Sequence, residues 1–163
     1  MVVRCIKQST GIMSFMTQLI DSASRARTTE DFQRIGEGAL PGLLGLEFEA
    51  VEPGSVRSRL VVAPAHLAPN GYLHAATIVA LADTSCGYGC MASLPEGASG
   101  FTTAELKTNF FGTLTDGGIA CTARLVHGGR TTQVWDAEVV DERTGRCLAL
   151  FRCTQVLLYP GDR

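Results

Sequence analysis

The chain has 163 residues, 45% of them hydrophobic and 18% charged, and a formal charge of -2. Length and composition fit one globular domain that buries a core without metal or disulfide staples. The weakly acidic balance gives no support to nucleic-acid binding, which draws on a basic face, and no stretch approaches the roughly 18 consecutive apolar residues of a membrane span.

Near the start, Arg4 and Lys7 are followed by Gln8, Ser9, Thr10 and Gly11, which interrupt any apolar run of signal-peptide type. A cytoplasmic location is therefore expected. The six cysteines, Cys5, Cys86, Cys90, Cys121, Cys147 and Cys153, then read as reduced, mostly buried thiols. Cys86 and Cys90 share a helix face, but no second closely spaced pair completes a zinc site, so no metal is expected.

Residues 12–40 read as helical. Phe15, Leu19 and Ile20 fall near one face, and Phe32 and Ile35 recur after a polar break. Thr28-Thr29-Glu30-Asp31 has the form of a helix start with acids in its first turn. Gly36, Gly38 and Pro41-Gly42 are expected to end this region.

From Leu46 the period changes to two. Leu46, Phe48 and Ala50 alternate with Glu47, Glu49 and Val51, and Val56, Ser58, Leu60 and Val62 alternate with Ser55, Arg57, Arg59 and Val61. With Pro53-Gly54 between them, these segments predict a hairpin with one wet face.

Residues 73–92 form the principal predicted helix, apolar nearly all round and so expected to be surrounded. Asp83 stands out within it. From Ala75 to Ala82 every residue is apolar or small, with Thr77 the sole polar side chain. Burying a charge there is expensive unless it is paired or used. The turn Pro69-Asn70-Gly71 and the start of the helix at His74 lie just upstream, so a turn, a helix N-terminus and an acid are placed near one another in sequence.

Beyond Leu94-Pro95-Glu96-Gly97 the chain reads as four strands: Phe101–Phe111, Ile119–His127, Thr131–Val140 and Cys147–Leu158. Gly117-Gly118, Gly128-Gly129 and Gly145 mark the turns. The last strand carries little charge beyond Arg152 and is expected to be central. Two strands, one buried helix and four strands predict an α+β domain, a curved antiparallel sheet around one long helix. Remaining sheet surface and edges favour a second subunit.

Asn70, His74 and, nine residues later, Asp83 stand in order with Leu81-Ala82-Asp83. They are followed by Thr103-Ala104-Glu105-Leu106-Lys107-Thr108-Asn109-Phe110, His127-Gly128-Gly129-Arg130 and the loop Asp141–Gly145. With this series the chain resembles the hotdog fold, and within it the phenylacetic-acid-degradation-type (4-hydroxybenzoyl-CoA thioesterase-like) acyl-CoA thioesterases. The resemblance covers about residues 43–158. It divides the chain into an N-terminal helical extension, 1–42, and a hotdog domain, 43–160.

The resemblance implies hydrolysis of an acyl-CoA or aryl-CoA thioester without a cofactor, by a homodimer or a homotetramer. Thioester hydrolysis needs an activated water or an attacking carboxylate, and donors aimed at the developing oxyanion. Asp83 takes the place of the general base or nucleophile. The Ala75 N–H takes that of the oxyanion donor, at a helix start where donors are free and the dipole favours negative charge. Asn70 would orient the water or nucleophile, His74 would polarise or position the thioester, and Thr103 would help to hold the water. Tyr72 and Phe110 would line the acyl pocket, and Arg130 would meet a phosphate of coenzyme A.

Each residue also has a plainer reading. Asp83 pairs with a polar neighbour, Ala75 is an ordinary first-turn amide, and Asn70 is a turn residue. His74 is a cap, Thr103 is a strand threonine, and Arg130 is a solvated hairpin side chain. The family's His-Gly-Gly is His74-Ala75-Ala76 here, and Phe111-Gly112 stands where many relatives have Arg-Pro. Two alternatives remain open: a hotdog dehydratase or hydratase using a histidine–acid pair, and an acyl-CoA-binding protein without turnover.

Overall fold

A computed structural model describes residues 28–161. The expected helical segment 12–27, with Phe15, Leu19 and Ile20, and the residue Cys5 lie outside the described residues. The first described helix, α1, is Thr29–Gly36, and it starts as its sequence implies. Thr28 Oγ1 accepts from the Asp31 N–H at 3.2 Å, and Asp31 Oδ2 accepts from the Thr28 N–H at 3.1 Å. This reciprocal cap satisfies two donors of the first turn.

Pro41-Gly42 does not end the helical region. It lies inside a further single turn, α2, Leu40–Leu43. Proline is tolerated in a first turn because the N–H it lacks has no intrahelical acceptor there. Gly42 is needed for a close approach: a Cβ would lie 2.6 Å from the carbonyl oxygens of both Gly36 and Glu37.

Six strands follow in one antiparallel sheet: β1 Glu47–Glu52, β2 Ser55–Val61, β3 Gly100–Phe110, β4 Gly118–Gly128, β5 Thr132–Asp141 and β6 Cys147–Leu158. Their spatial order is β1-β2-β4-β5-β6-β3. The last strand is interior, as its low charge implied. Along β1 and the residue before it the buried set is Leu46, Phe48 and Val51 rather than Leu46, Phe48 and Ala50. The cause is a register shift between Phe48 and Ala50, where an extra residue inverts the alternation.

The edge strand β1 is covered by α1. Gln33 Nε2 donates to the Leu46 carbonyl at 3.0 Å, Gln33 Oε1 accepts from the Phe48 N–H at 2.9 Å, and Thr29 Oγ1 accepts from the Val51 N–H at 3.0 Å. These bonds occupy backbone groups that would otherwise offer a template for strand pairing. Phe32 of α1 enters the core against the Tyr88 ring, at a centroid distance of 5.1 Å, with Phe48 on that ring at 4.7 Å.

The long helix α3, Ala75–Ala92, lies across the inner face of the sheet. Two glycines set how closely it packs. A Cβ on Gly89 would lie 2.5 Å from the Trp135 ring, and one on Gly87 would lie 2.9 Å from the Phe101 ring. Trp135 is fully buried, a burial worth about 3–5 kcal/mol against alanine. The sheet wraps one side of α3. On the other side Ala75 and Ala76 are exposed, and Val79, Ala80, Asp83 and Thr84 are half-buried, so among the described residues the helix is not surrounded.

This α+β arrangement, a curved antiparallel sheet around one central helix, is the hotdog fold. Among the described residues no helix is long and apolar enough to cross a membrane. Cys86, Cys90, Cys121 and Cys153 are buried free thiols and Cys147 is half-buried. Burial pushes the Cys90 and Cys121 thiols up to about 12, well away from the reactive thiolate form.

Candidate active site

The approach to α3 is built from hydrogen bonds over a short distance in sequence. A 3-10 turn, Pro64–His66, is closed by the Ala63 N–H donating to His66 Nδ1 at 3.0 Å. Leu67 and Leu73 then form a bridge, and Ala68 N–H donates to the Tyr72 carbonyl at 2.7 Å. At the tip, Gly71 has φ +83°, a conformation that favours glycine. Asn70 Oδ1 accepts from the Tyr72 N–H at 3.2 Å. The Asn70 side chain thus closes an Asx-type turn, leaving its amide NH2 as the group free to donate outward. Tyr72 beside it is 50% exposed.

His74 is the N-cap of α3. Its Nδ1 accepts from the Ala76 N–H at 3.0 Å. A nitrogen that accepts carries no proton, so in the neutral ring the proton belongs to Nε2. The Thr77 N–H donates to the His74 carbonyl at 2.9 Å. Among the described residues the Ala75 N–H meets no acceptor, and it stands at the positive end of the helix dipole. The Ala75-Ala76 departure brings no backbone strain, because the described non-glycine residues all keep negative φ.

Asp83 lies two turns into α3, on the helix's open stripe. Its Oδ1 is buried and has no hydrogen-bond partner among the described residues. Burial raises its pKa above the ordinary carboxylate value, because desolvation disfavours the charged form. A partly desolvated carboxylate with one buried oxygen left unbonded is suited to taking up a proton or attacking a carbonyl.

The other named residues are spread along the sheet. Thr103 on β3 donates its hydroxyl to Gln155 Oε1 at 2.9 Å, so in this chain its proton is committed to the sheet. Phe110 ends β3 and is 46% exposed, near Phe111 at 60%. The Thr113 hydroxyl donates to the Leu73 carbonyl, which brings that end of β3 to the start of α3. Arg130 is in the β4–β5 turn at the other end of the molecule. There Gln133 Nε2 donates to the Ser93 carbonyl at the close of α3, and the Tyr159 hydroxyl donates to the Arg130 carbonyl.

Two groups went unremarked in the sequence as parts of this region. His66 anchors the start of α3, and Thr108 on β3 carries a second buried oxygen without a partner among the described residues. A cavity of about 500 Å³ opens on the outer face of the sheet, between Lys107, Arg124, Glu138 and the Asp136–Arg152 ion pair. It lies on the face turned away from α3, and none of the residues expected to bind or hydrolyse the thioester lines it. Among the described residues no cluster of His, Cys, Asp and Glu is placed to hold a metal.

Residues 70–148, from the Asn70 turn to β6, match the model of the thioesterase superfamily. A 1,4-dihydroxy-2-naphthoyl-CoA hydrolase of Listeria monocytogenes is 32% identical over 111 residues, 68% of this chain and 89% of that protein. The chain belongs to the thioesterase superfamily. Another relative is the Escherichia coli 1,4-dihydroxy-2-naphthoyl-CoA hydrolase, 28% identical over 137 residues, 82% of this chain and 97% of that protein. A solved mutant of the thioesterase PA1618 of Pseudomonas aeruginosa superposes with a TM-score of 0.77 at 25% identity, over 83% of this chain and 96% of that one. The Escherichia coli PaaI protein of the phenylacetic acid degradation operon shares the fold, with a TM-score of 0.65. Membership makes this hotdog domain a thioesterase-type hydrolase.

Proposed function

We propose that the protein hydrolyses an acyl-CoA or aryl-CoA thioester to the free acid and CoA, at a site shared by two chains. The observation that carries this reading is the half-buried Asp83 on the open stripe of α3, whose buried Oδ1 has no hydrogen-bond partner among the described residues. Asp83 takes a proton from water as the water attacks the thioester carbon, or attacks that carbon itself to give a mixed anhydride, which a water then hydrolyses to the free acid and the regenerated carboxylate. The carbonyl oxygen becomes an oxyanion and accepts from the Ala75 N–H. The C–S bond then breaks, and the CoA thiolate leaves and is protonated. Asn70 orients the attacking group, Thr103 helps to hold the water by accepting from it while its own proton goes to Gln155, and His74 holds the thioester from its Nε2 side. Tyr72 and Phe110 flank the acyl group, and Arg130 meets a phosphate of CoA.

Geometry supports the sharing between chains. Ala75 and Asp83 are eight residues apart on one helix, which is about 12 Å along its axis. One thioester carbonyl cannot lie about 3 Å from an amide and from a water-activating carboxylate so far apart. A two-fold partner running antiparallel brings its own helix start toward Asp83. The surface such a partner would cover is present: the open stripe of α3, the long edge strand β3, and exposed Leu106, Phe110 and Phe111.

The relatives that act on 1,4-dihydroxy-2-naphthoyl-CoA favour an aromatic acyl group. The dehydratase reading needs a histidine free to pair with an acid and move a proton, whereas His74 Nδ1 is taken by the helix cap. The binding-only reading rests on Ala75-Ala76, yet alanine keeps the N–H. Thiol release from a panel of short, long and aryl acyl-CoAs tests the proposal. Turnover is expected, highest on an aryl member, and binding without thiol release from any member would overturn it.

A further inference from the structure

The peptide group joining His74 to Ala75 is held more firmly than a helix start requires. Its carbonyl end accepts from the Thr77 N–H at 2.9 Å. In a trans peptide the N–H points opposite to the C=O, so this bond directs the Ala75 N–H outward. Thr77 is buried, and its hydroxyl donates to the His66 carbonyl at 3.0 Å. The same carbonyl accepts from the His74 N–H at 2.9 Å. His66 is in turn fixed by its ring, which is buried and accepts from the Ala63 N–H. One carbonyl thus ties together the residue before the Ala75 amide and the residue two after it.

A threonine in this otherwise apolar run serves no packing need that valine would not meet. We propose that Thr77 is a positioning residue for the hydrolysis. Its hydroxyl, bonded to the His66 carbonyl, holds the His74–Ala75 peptide so that the Ala75 N–H points where the oxyanion forms. This rests on the reading of Ala75 as the oxyanion donor. An amide aimed at charge that develops in the transition state affects kcat, whereas ground-state binding of the acyl and CoA parts sets KM.

The test compares Thr77→Val, Thr77→Ser and Ala75→Pro with the wild type, by thiol release at a temperature well below unfolding. Thr77→Val keeps the shape and removes the hydroxyl. Its kcat is expected to fall about tenfold with KM changed by less than about twofold. Thr77→Ser keeps the hydroxyl and is expected to restore kcat to within about threefold of wild type. Equal kcat in the valine and wild-type enzymes overturns the inference. So does a loss in which serine and valine fall together in step with their thermal midpoints. If Ala75→Pro, which lacks the N–H, retains full turnover, the underlying reading of Ala75 fails instead.

Discussion

Asp83→Asn lowers thioester turnover by about two orders of magnitude or more, while the fold and acyl-CoA binding persist. Asparagine keeps the size and much of the hydrogen-bonding capacity and removes the basicity. The interaction lost belongs to the transition state, so kcat carries the effect. Thiol release on the best acyl-CoA, with binding of the same thioester followed by calorimetry, measures both. Near-wild-type turnover in the variant would remove Asp83 from the mechanism.

The same residue predicts a pH dependence. Turnover requires the ionised carboxylate, so it falls as pH drops through a pKa that burial has raised above the ordinary 3.8. The stability term has the opposite sense. With the folded pKa raised, the neutral form favours the fold. That contribution is fully present below the unfolded pKa and is lost as pH rises through the folded one. Asp83→Asn is therefore expected to raise the urea midpoint at neutral pH, with the gain vanishing in acid. An unchanged difference between the two proteins across the acid range would contradict the raised pKa.

Ala75→Pro is expected to lower kcat by about 10²–10³-fold, the range for losing one oxyanion donor. The substitution suits its position. Ala75 is the first residue of α3, where proline's fixed φ and missing N–H are tolerated. His74 before it has φ -69° and ψ 134°, the extended conformation that precedes a proline without clash. The helix should form as before by circular dichroism. Ala75→Gly keeps the N–H and is expected to retain turnover within a few fold. Turnover in the proline variant equal to that of the glycine variant would exclude this amide as the donor.

Much of the fold is written in local pattern. The capping box at Thr28 and Asp31, the long apolar helix and β6 follow directly from residue type and period. What escaped depends on contacts between distant segments. The buried face of β1 inverts at a bulge, and alternation alone places Ala50 where Val51 lies. Pro41-Gly42 reads as a terminator and instead sits in a new turn, because proline both ends and begins helices.

The site divides along the same line. Asp83 was conspicuous because a charge inside an apolar run is costly wherever the run folds. The open stripe of α3 was not, since Ala76, Val79 and Ala80 read as core whether their own sheet or another chain covers them. The Thr77–His66 bond links residues eleven apart across a turn, and neither side chain announces it. Asn70 and His74 were placed correctly at the turn and the helix start, where the structure shows one closing the turn and the other capping the helix.

Mixing two inactive variants tests the shared site most directly. In a heterodimer of Asp83→Asn and Ala75→Pro chains, carried on different affinity tags and purified through both, one site holds both lesions and the other holds neither. Each homodimer is expected to be inactive, whereas the purified heterodimer should recover about half of wild-type turnover per dimer, as two-fold symmetry requires. A purified heterodimer as inactive as its parents would show that Asp83 and the Ala75 N–H do not act together across the interface.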